Sequence, residues 1–191
     1  FHMDEVDVKE LLNLIPSIDS TLPMLRSFEG IVACDIAMSA ALDSNLYVKM
    51  PTINGVTAIR GKNLVLLDGE TFSEIAKQLN FQQKKKNTID SLSVIVSVKN
   101  NFIYIYPFIL SMDKYKAAIA GRHKMDMTFD YHISLLNPMP LGLNVRGSLD
   151  NMKYSLSPVL FKDTNIPSSQ KLLEKMKIQK VEEIKAAARK Q

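Results

Sequence analysis

The longest regular pattern in the chain runs from Tyr115 to Leu135, where apolar and polar residues alternate. Odd positions are apolar and even positions mostly polar, which is the two-residue period of a half-buried β-strand. Run straight, this stretch would span about 65–70 Å at about 3.3 Å per residue, well beyond an ordinary strand. We therefore predict a reversal within Gly121–Met125. Because the alternation continues unbroken across it, we expect a three- or five-residue loop, or a bulge.

The same two-residue period predicts further strands along most of the chain. These are residues 31–42, 46–50, 53–67, 91–98, 102–108, 141–145 and 152–156. The Asn100–Asn101 pair predicts a two-residue hairpin turn, which sets Val98 opposite Ile103 and Val96 opposite Ile105. Gly55 and Gly61 predict bulges or bends. The aromatic row Phe102, Tyr104, Tyr106 and Phe108 then shares one face, and we expect a helix to cover it.

Three segments have the period of a helix instead. Asp7–Ile15 predicts a short helix with Asp7 as its N-cap. The capping-box pattern Thr71-x-x-Glu74 begins a helix over residues 71–79, whose apolar stripe of Phe72, Ile75 and Leu79 we expect to close one end of the sheet. Residues 168–191 predict a basic C-terminal helix. Its apolar stripe consists of Ile178, Val181, Ile184 and Ala188.

Strands and helices do not alternate in a βαβ rhythm, so the sheet is predicted to be antiparallel. The fold class is mainly β with helices (α+β): a curved antiparallel sheet that forms a groove or a partly closed barrel. One helix is inserted, and helices lie at both ends. A single domain accounts for residues 1–191, with a helical lead-in (1–29), the sheet (30–162) and the basic helix (168–191). Because the chain opens with Phe1-His2-Met3, we interpret it as a piece of a longer protein.

Composition narrows the classes of function. Hydrophobic residues make up 46% of the 191, as in a globular protein. The net charge is +4, but the basic residues cluster at Lys84–Lys86 and in the last twenty residues, and no aromatic residues are interleaved with them. This pattern argues against a nucleic-acid-binding face. Cys34 is alone, so no intramolecular disulfide is possible.

No set of residues has the spacing of an active site or a metal site. His123 and His132 fall on opposite faces of the alternating pattern, so they are poor co-ligands for a metal. We find no nucleophile with an evident base and no Gly-rich phosphate loop, and we expect neither catalysis nor a cofactor. The cations Lys84, Lys85 and Lys86 have two interpretations: contact with anionic lipid headgroups at a membrane surface, or a solvated loop.

Three stretches taken together resemble a known family. They are Ala58–Leu64 (AIRGKNL) followed by a predicted helix, Gly121–Ile133 (GRHKMDMTFDYHI), and Gly147–Asn151 (GSLDN). Their order and spacing are similar to the C-terminal region of AsmA-family proteins and their TamB-like relatives. The resemblance covers roughly residues 30–160 and does not extend to the last helix.

The resemblance implies a periplasmic module of a cell envelope, whose parent protein is anchored in the inner membrane. Such proteins look like long β-grooves with an apolar interior, proposed to carry phospholipid between membranes. The expected ligand is therefore a phospholipid or another acyl chain, with other envelope proteins as possible partners. The alternative is a structural or interaction module in outer-membrane protein assembly, without lipid. The candidate lipid-facing residues are Val94, Val96, Ile105, Ile119, Met127, Phe129, Tyr131, Ile133, Leu143 and Val145.

Overall fold

The described part of the chain forms one antiparallel sheet of ten strands. A computed structural model describes residues 2–14, 23–66, 87–112, 115–137, 139–148, 150–162, 166, 171–176, 178–179 and 182. The strands are β1 (His2–Asp7), β2 (Phe28–Glu29), β3 (Ile31–Ser39), β4 (Asn54–Leu66), β5 (Asn87–Lys99), β6 (Phe102–Met112), β7 (Tyr115–Lys124), β8 (Phe129–Asn137), β9 (Leu141–Ser148) and β10 (Asn151–Ser157). They lie in the order β1-β3-β4-β5-β6-β7-β8-β9-β10, and β2 pairs with the far end of β4. The sheet is open and curved, and the prediction of a mainly β antiparallel fold is confirmed.

Helical structure is limited in these residues. Helix α1 (Val8–Leu14) follows β1, and 3₁₀ turns occupy Pro23–Ser27 and Met50–Thr52. The N-cap prediction is confirmed, because the N–H of Lys9 donates to Oδ1 of Asp7 at 2.8 Å. Residues 171–176, 178–179 and 182 are helical, within the predicted C-terminal helix. None of the helices in the described part of the chain is long and apolar enough to cross a membrane.

Two hairpin turns set the register of the central strands. Asn100 and Asn101 both have positive φ (52° and 65°), and Val98 lies opposite Ile103 as predicted. In the β7–β8 hairpin, Lys124 donates its N–H to the Thr128 carbonyl, which leaves a three-residue loop of residues 125–127. The loop has one of the predicted lengths, but the reversal lies later than predicted because β7 continues to Lys124.

The predicted bulges are misplaced. β4 keeps one unshifted register with both β3 and β5 through Gly55 and Gly61. One of the observed register shifts lies in β6, between Ile105 and Phe108, where Pro107 has no N–H to donate to the ladder. As a result Phe108 faces the side opposite to Tyr106, and the predicted four-residue aromatic row is divided between the two faces.

Two further local predictions are wrong. The predicted helical lead-in (1–29) begins with an edge strand, β1, that pairs with β3, and its helix follows at Val8–Leu14. Residues 46–50 do not form a strand, because the β3–β4 connection folds into a turned loop with one isolated bridge between Leu42 and Val48.

The sheet packs on both of its faces. We call the face that carries Val96, Ile105 and Tyr131 the apolar face, and the other the opposite face. Helix α1 packs on the apolar face over β3–β6, where Val8 and Leu11 are almost fully buried. The opposite face carries a smaller cluster of Val56, Ala58 and Ile95, which packs against Leu173, and against Tyr106.

A helix does pack on the cluster that includes Tyr106, as predicted for the aromatic residues. The residues by which this helix packs differ from the predicted apolar stripe, however. Leu172, Leu173 and Met176 of the C-terminal helix belong to the cluster, whereas Ile178 is 62% exposed. The other three residues of the predicted stripe lie outside the described residues.

Candidate functional site

The apolar face is continuous across eight strands. Cross-strand partners lie directly opposite each other and share a face, so register alone assigns the residues to it. One unbroken row of partners runs, in order, through Ile36, Thr57, Val96, Ile105, Gly121, Tyr131, Val145 and Tyr154. A neighbouring row runs through Met38, Gly55, Val98, Ile103, His123, Phe129, Gly147 and Met152. The alternation in the sequence thus becomes one wide apolar surface.

Nine of the ten candidate lipid-facing residues lie on this face. Val94, Val96 and Ile105 belong to the cluster beneath α1; Ile133, Leu143, Val145 and Phe129 belong to a second cluster; Ile119 and Tyr131 contact both. The exception is Met127. It occupies the β7–β8 turn with φ of 65° and belongs to neither cluster. The predicted helix 71–79 with Phe72, Ile75 and Leu79, and the cations Lys84, Lys85 and Lys86, lie outside the described residues.

The two halves of the apolar face differ in what packs on them. The β3–β6 half includes non-sheet side chains, among them Val8, Leu11 and Leu25. In the β7–β10 half, all cluster members among the described residues come from the strands themselves. That half also carries half-buried aromatic side chains, Phe129, Tyr131 and Tyr154, beside the fully buried Leu143. Tyr154 was not a predicted site residue, although its place in the alternation Met152, Tyr154, Leu156 could have identified it.

Tyr131 stands at the junction of the two halves. Its partner across the strands is Gly121, where an added Cβ would lie 2.3 Å from Cδ1 of Tyr131. The ring therefore fills the space that a side chain at residue 121 would need. Its hydroxyl is hydrogen-bonded to Nδ1 of the buried His123 at 2.6 Å. Burial raises the pKa of the Tyr131 hydroxyl, so it is a neutral phenol.

The opposite face carries a Ser–His–Asn arrangement. Nε2 of His132 lies 3.0 Å from Oγ of Ser134, and Nδ1 lies 2.8 Å from Oδ1 of Asn144. The Asn144 oxygen can only accept, so the imidazole carries its proton on Nδ1 and accepts the Ser134 proton at Nε2. Ser134 Oγ also accepts the N–H groups of Leu160 and Phe161, both at 3.1 Å.

These residues have the hydrogen-bond partners of a catalytic triad, but a substrate cannot reach the Ser134 hydroxyl. Ser134 is 0% exposed, and its oxygen already takes part in three hydrogen bonds. The ring of Phe161 lies edge-on to His132, with centroids 5.8 Å apart. The hydrogen bonds of Ser134 therefore attach the chain after β10 to β8. We call Ser134, His132 and Asn144 the clasp. As the alternation predicts, His132 and His123 lie on opposite faces.

A second polar cluster fastens the edge strand β1. Nδ1 of His2 lies 2.8 Å from Oδ1 of Asp35, and Nε2 lies 2.7 Å from Asp4. Asp35 also accepts from Nη2 of Arg60 at 2.7 Å. The hydrogen bonds to Asp35 and then to Asp4 raise the pKa of His2, since both ring nitrogens can donate to carboxylates only when the imidazole is protonated. This cluster was not predicted from the sequence, because strand β1 was not predicted.

An open pocket of about 690 Å³ adjoins this cluster. Arg60 and Lys62 line it together with Asp4 and Glu5, so its charges are mixed and do not select an anion. Among the described residues, no group of three or more His, Cys, Asp or Glu side chains could hold a metal ion. The Cys34 thiol is 1% exposed, and burial raises its pKa to about 11, so it is a protonated and inert thiol at neutral pH.

Comparisons with protein-family models, with curated proteins and with solved structures gave no match to this chain.

Proposed function

We propose that the chain is a non-catalytic module that binds a phospholipid or another acyl-chain ligand along the β7–β10 half of its apolar face. The observation that carries the proposal is the continuity of this face across an open, curved sheet. An acyl chain laid along it would gain about 0.8 kcal/mol for each methylene removed from water. The half-buried Phe129, Tyr131 and Tyr154 are the side chains that such a ligand would contact.

The burial of the best-placed reactive groups favours a binding role over catalysis. Ser134, the nucleophile with the most suitable partners in the described residues, is inaccessible, and the thiol of Cys34 is buried and protonated. The Gly121–Ile133 stretch, one of those that resemble the family, lies in the β7–β8 hairpin, and this hairpin forms part of the candidate face. By that resemblance, we place the module in a bacterial periplasm, as part of a parent protein anchored in the inner membrane. The module would contribute to lipid homeostasis of the cell envelope.

The β3–β6 half of the face favours a second candidate. There α1 covers the apolar face, and Ile103, Leu64 and Ile89 have no exposed surface. If the β7–β10 half packs equally tightly, the chain is a structural or interaction module in outer-membrane protein assembly, without lipid.

Native mass spectrometry with lipid extraction, applied to the purified chain, tests the proposal. We expect bound phospholipid in the parent protein and its loss in Tyr154→Asp, because a carboxylate would stand in the path of the acyl chain. Ser155→Asp is the matched control, since it adds the same charge at the adjacent β10 position on the opposite face. Lipid-free parent protein would favour the structural module. Unfolding of Tyr154→Asp in a thermal melt, with no lipid in the parent, would also support that alternative.

A further inference from the structure

The β3–β4 connection, residues 40–53, displays large apolar side chains to solvent. Leu46 and Tyr47 at its tip are 76% and 72% exposed, and Leu42 and Val48 behind them are about half exposed. Five of the ten exposed large hydrophobic residues in the described chain fall within residues 38–48. Single exposed apolar residues are ordinary, but a contiguous group marks an interaction surface.

Hydrogen bonds at the tip of the loop satisfy four backbone N–H groups, those of residues 43, 45, 46 and 47. Oδ1 of Asp43 accepts the N–H groups of Asn45 and Tyr47 at 2.8 and 2.9 Å, and the Asp43 carbonyl accepts that of Leu46. The N–H of Asp43 donates in turn to the Tyr47 carbonyl. A tip built in this way is held in one shape. These bonds lower the cost of entering a medium of low dielectric constant, where each unsatisfied backbone group costs several kcal/mol and a free carboxylate costs more.

The backbone at Leu46 gives an independent reason to assign the tip a role. Its φ is 66°, in the left-handed region that Gly and Asn adopt readily and a bulky side chain does not. The Leu46 side chain is exposed, so it repays none of this strain by burial within the fold. Strain retained at an exposed position is typical of a residue kept for binding.

The chemistry of the tip matches the interfacial region of a lipid bilayer. Tyr47 combines an apolar ring with a polar hydroxyl, as do the aromatic residues found at headgroup depth. The exposed Lys49 follows the tip, and the exposed Lys99 and Lys124, which end β5 and β7 at the same end of the sheet, are offset by the exposed Asp126 and Asp150 in the turns there. The ammonium group of Lys49 can reach anionic headgroups while apolar side chains insert. The carboxylate of Asp43 is bound by the loop's own N–H groups.

We propose that residues 40–53 form a membrane-docking loop, which inserts Leu46 and Tyr47 into the interfacial region of a phospholipid bilayer and places Lys49 among the headgroups. This inference does not depend on lipid bound along the apolar face. A chain that carries no acyl ligand can still dock, and a lipid-carrying chain can lack this contact.

The chain has no tryptophan, so a single introduced indole reports its own surroundings. In Tyr47→Trp, we expect a blue shift of emission on adding phosphatidylcholine vesicles that contain phosphatidylglycerol, and quenching when their acyl chains are brominated. The matched control is Met139→Trp. Met139 is exposed in the β8–β9 connection at the other end of the sheet, and an indole there should be neither shifted nor quenched.

Leu46→Asn separates binding from folding. Asn suits the left-handed backbone, so the melting temperature should be equal or higher. Co-sedimentation with the mixed vesicles should fall at least about tenfold, as expected when one inserted leucine is lost. Added phosphatidylglycerol should strengthen binding of the parent protein, and salt should weaken that gain.

Three results would overturn the proposal: no quenching of the Tyr47→Trp variant, unchanged binding by Leu46→Asn, or equal quenching of the Met139→Trp variant. A concentration-dependent dimer that forms without vesicles and is lost in Leu46→Asn would overturn it too, because the tip would then contact a second copy of the chain. Lipid retained by Leu46→Asn in native mass spectra would leave the proposed function intact, whichever result the vesicles give.

Discussion

Tyr131 and His123 are joined by a 2.6 Å hydrogen bond between the phenol oxygen and Nδ1, on a face whose other members are mostly aliphatic. The two residues lie on neighbouring strands, β8 and β7, and His123 is almost fully buried. A polar pair inside an apolar surface fixes one geometry, because an alternative packing would break the hydrogen bond between the two side chains. The bond thereby positions the Tyr131 ring over Gly121.

Tyr131→Phe tests the contribution of this hydrogen bond. We expect a loss of about 1–3 kcal/mol in the free energy of unfolding, because a buried imidazole nitrogen loses its partner. Denaturant titration measures it. Tyr104→Phe, on the opposite face, is the control. Its hydroxyl forms no hydrogen bond within the described residues, and its replacement should change the free energy of unfolding by less than about 0.5 kcal/mol. Equal losses in the two variants would contradict the assignment.

Gly121→Ala tests the close approach of the Tyr131 ring. The new Cβ would lie 2.3 Å from Cδ1 of Tyr131 and 2.5 Å from the carbonyl oxygen of Asp130. The ring can rotate away only by breaking its bond with His123, and the carbonyl belongs to the sheet backbone. We expect a destabilisation of about 1–3 kcal/mol, as overpacking typically causes. In Gly121→Ala/Tyr131→Ala, the cost of the added methyl should shrink, which a double-mutant cycle in urea measures. Strict additivity would mean that the backbone contact alone sets the cost.

Ser134→Ala tests the clasp on the opposite face. It removes the acceptor of the Leu160 and Phe161 N–H groups and the donor to His132. We expect a destabilisation of about 1–3 kcal/mol and faster hydrogen exchange at these two amides. Ser157→Ala serves as the control, because its hydroxyl donates only a 3.3 Å bond to the next carbonyl in the chain. Unchanged exchange at residues 160 and 161 would show that packing, and not Ser134, holds this segment.

The parts of the fold that local chemistry determines were predictable from the sequence. Paired positive φ values make Asn100–Asn101 a two-residue turn, and the turn sets the register of β5 against β6. Unbroken parity across the β7–β8 hairpin likewise required an odd loop length, which the three residues 125–127 provide. Because side chains alternate strictly along a strand, these registers also placed most of the candidate residues on one face.

The features that escaped prediction depend on partners distant in sequence or on weak patterns. Ser134 binds amides 26 and 27 residues later, and no local pattern indicates such a contact. β1 is mostly polar because it lies at the edge of the sheet, so it lacks the apolar alternation of the inner strands. The bulge in β6 did leave a signal, Pro107, since proline within a strand is confined to edges and bulges.

The His2 cluster predicts a pH dependence of stability. The carboxylates of Asp35 and Asp4 raise the pKa of His2 in the folded protein above its ordinary value of about 6.5. Its contribution is therefore fully present below about pH 6.5 and is lost as the pH rises through the folded pKa. We expect the melting temperature of the parent protein to fall, relative to that of His2→Gln, as the pH rises above about 6.5. Comparison with the variant cancels the contributions of the ionisable groups that the two proteins share. Parallel curves for the two proteins would refute the link.

Cys34 provides a chemical probe of the same edge. It lies opposite Met3 of β1, is 1% exposed, and owes its raised pKa of about 11 chiefly to burial. A disulfide reagent at pH 6, where the His2 cluster is fully formed, should therefore label the thiol only when β1 detaches or the protein unfolds, because the thiolate is both scarce and covered. His2→Gln removes the imidazole that binds Asp35, so β1 should detach more often and labelling should become faster. Lys9→Gln is the control: it breaks a solvent-exposed ion pair with Glu29, outside the His2 cluster, and should leave the rate nearly unchanged. The rates are measured by the absorbance of the released thiol in the absence of denaturant. Labelling of His2→Gln at the parent rate would mean that the His2 cluster does not hold β1 in place.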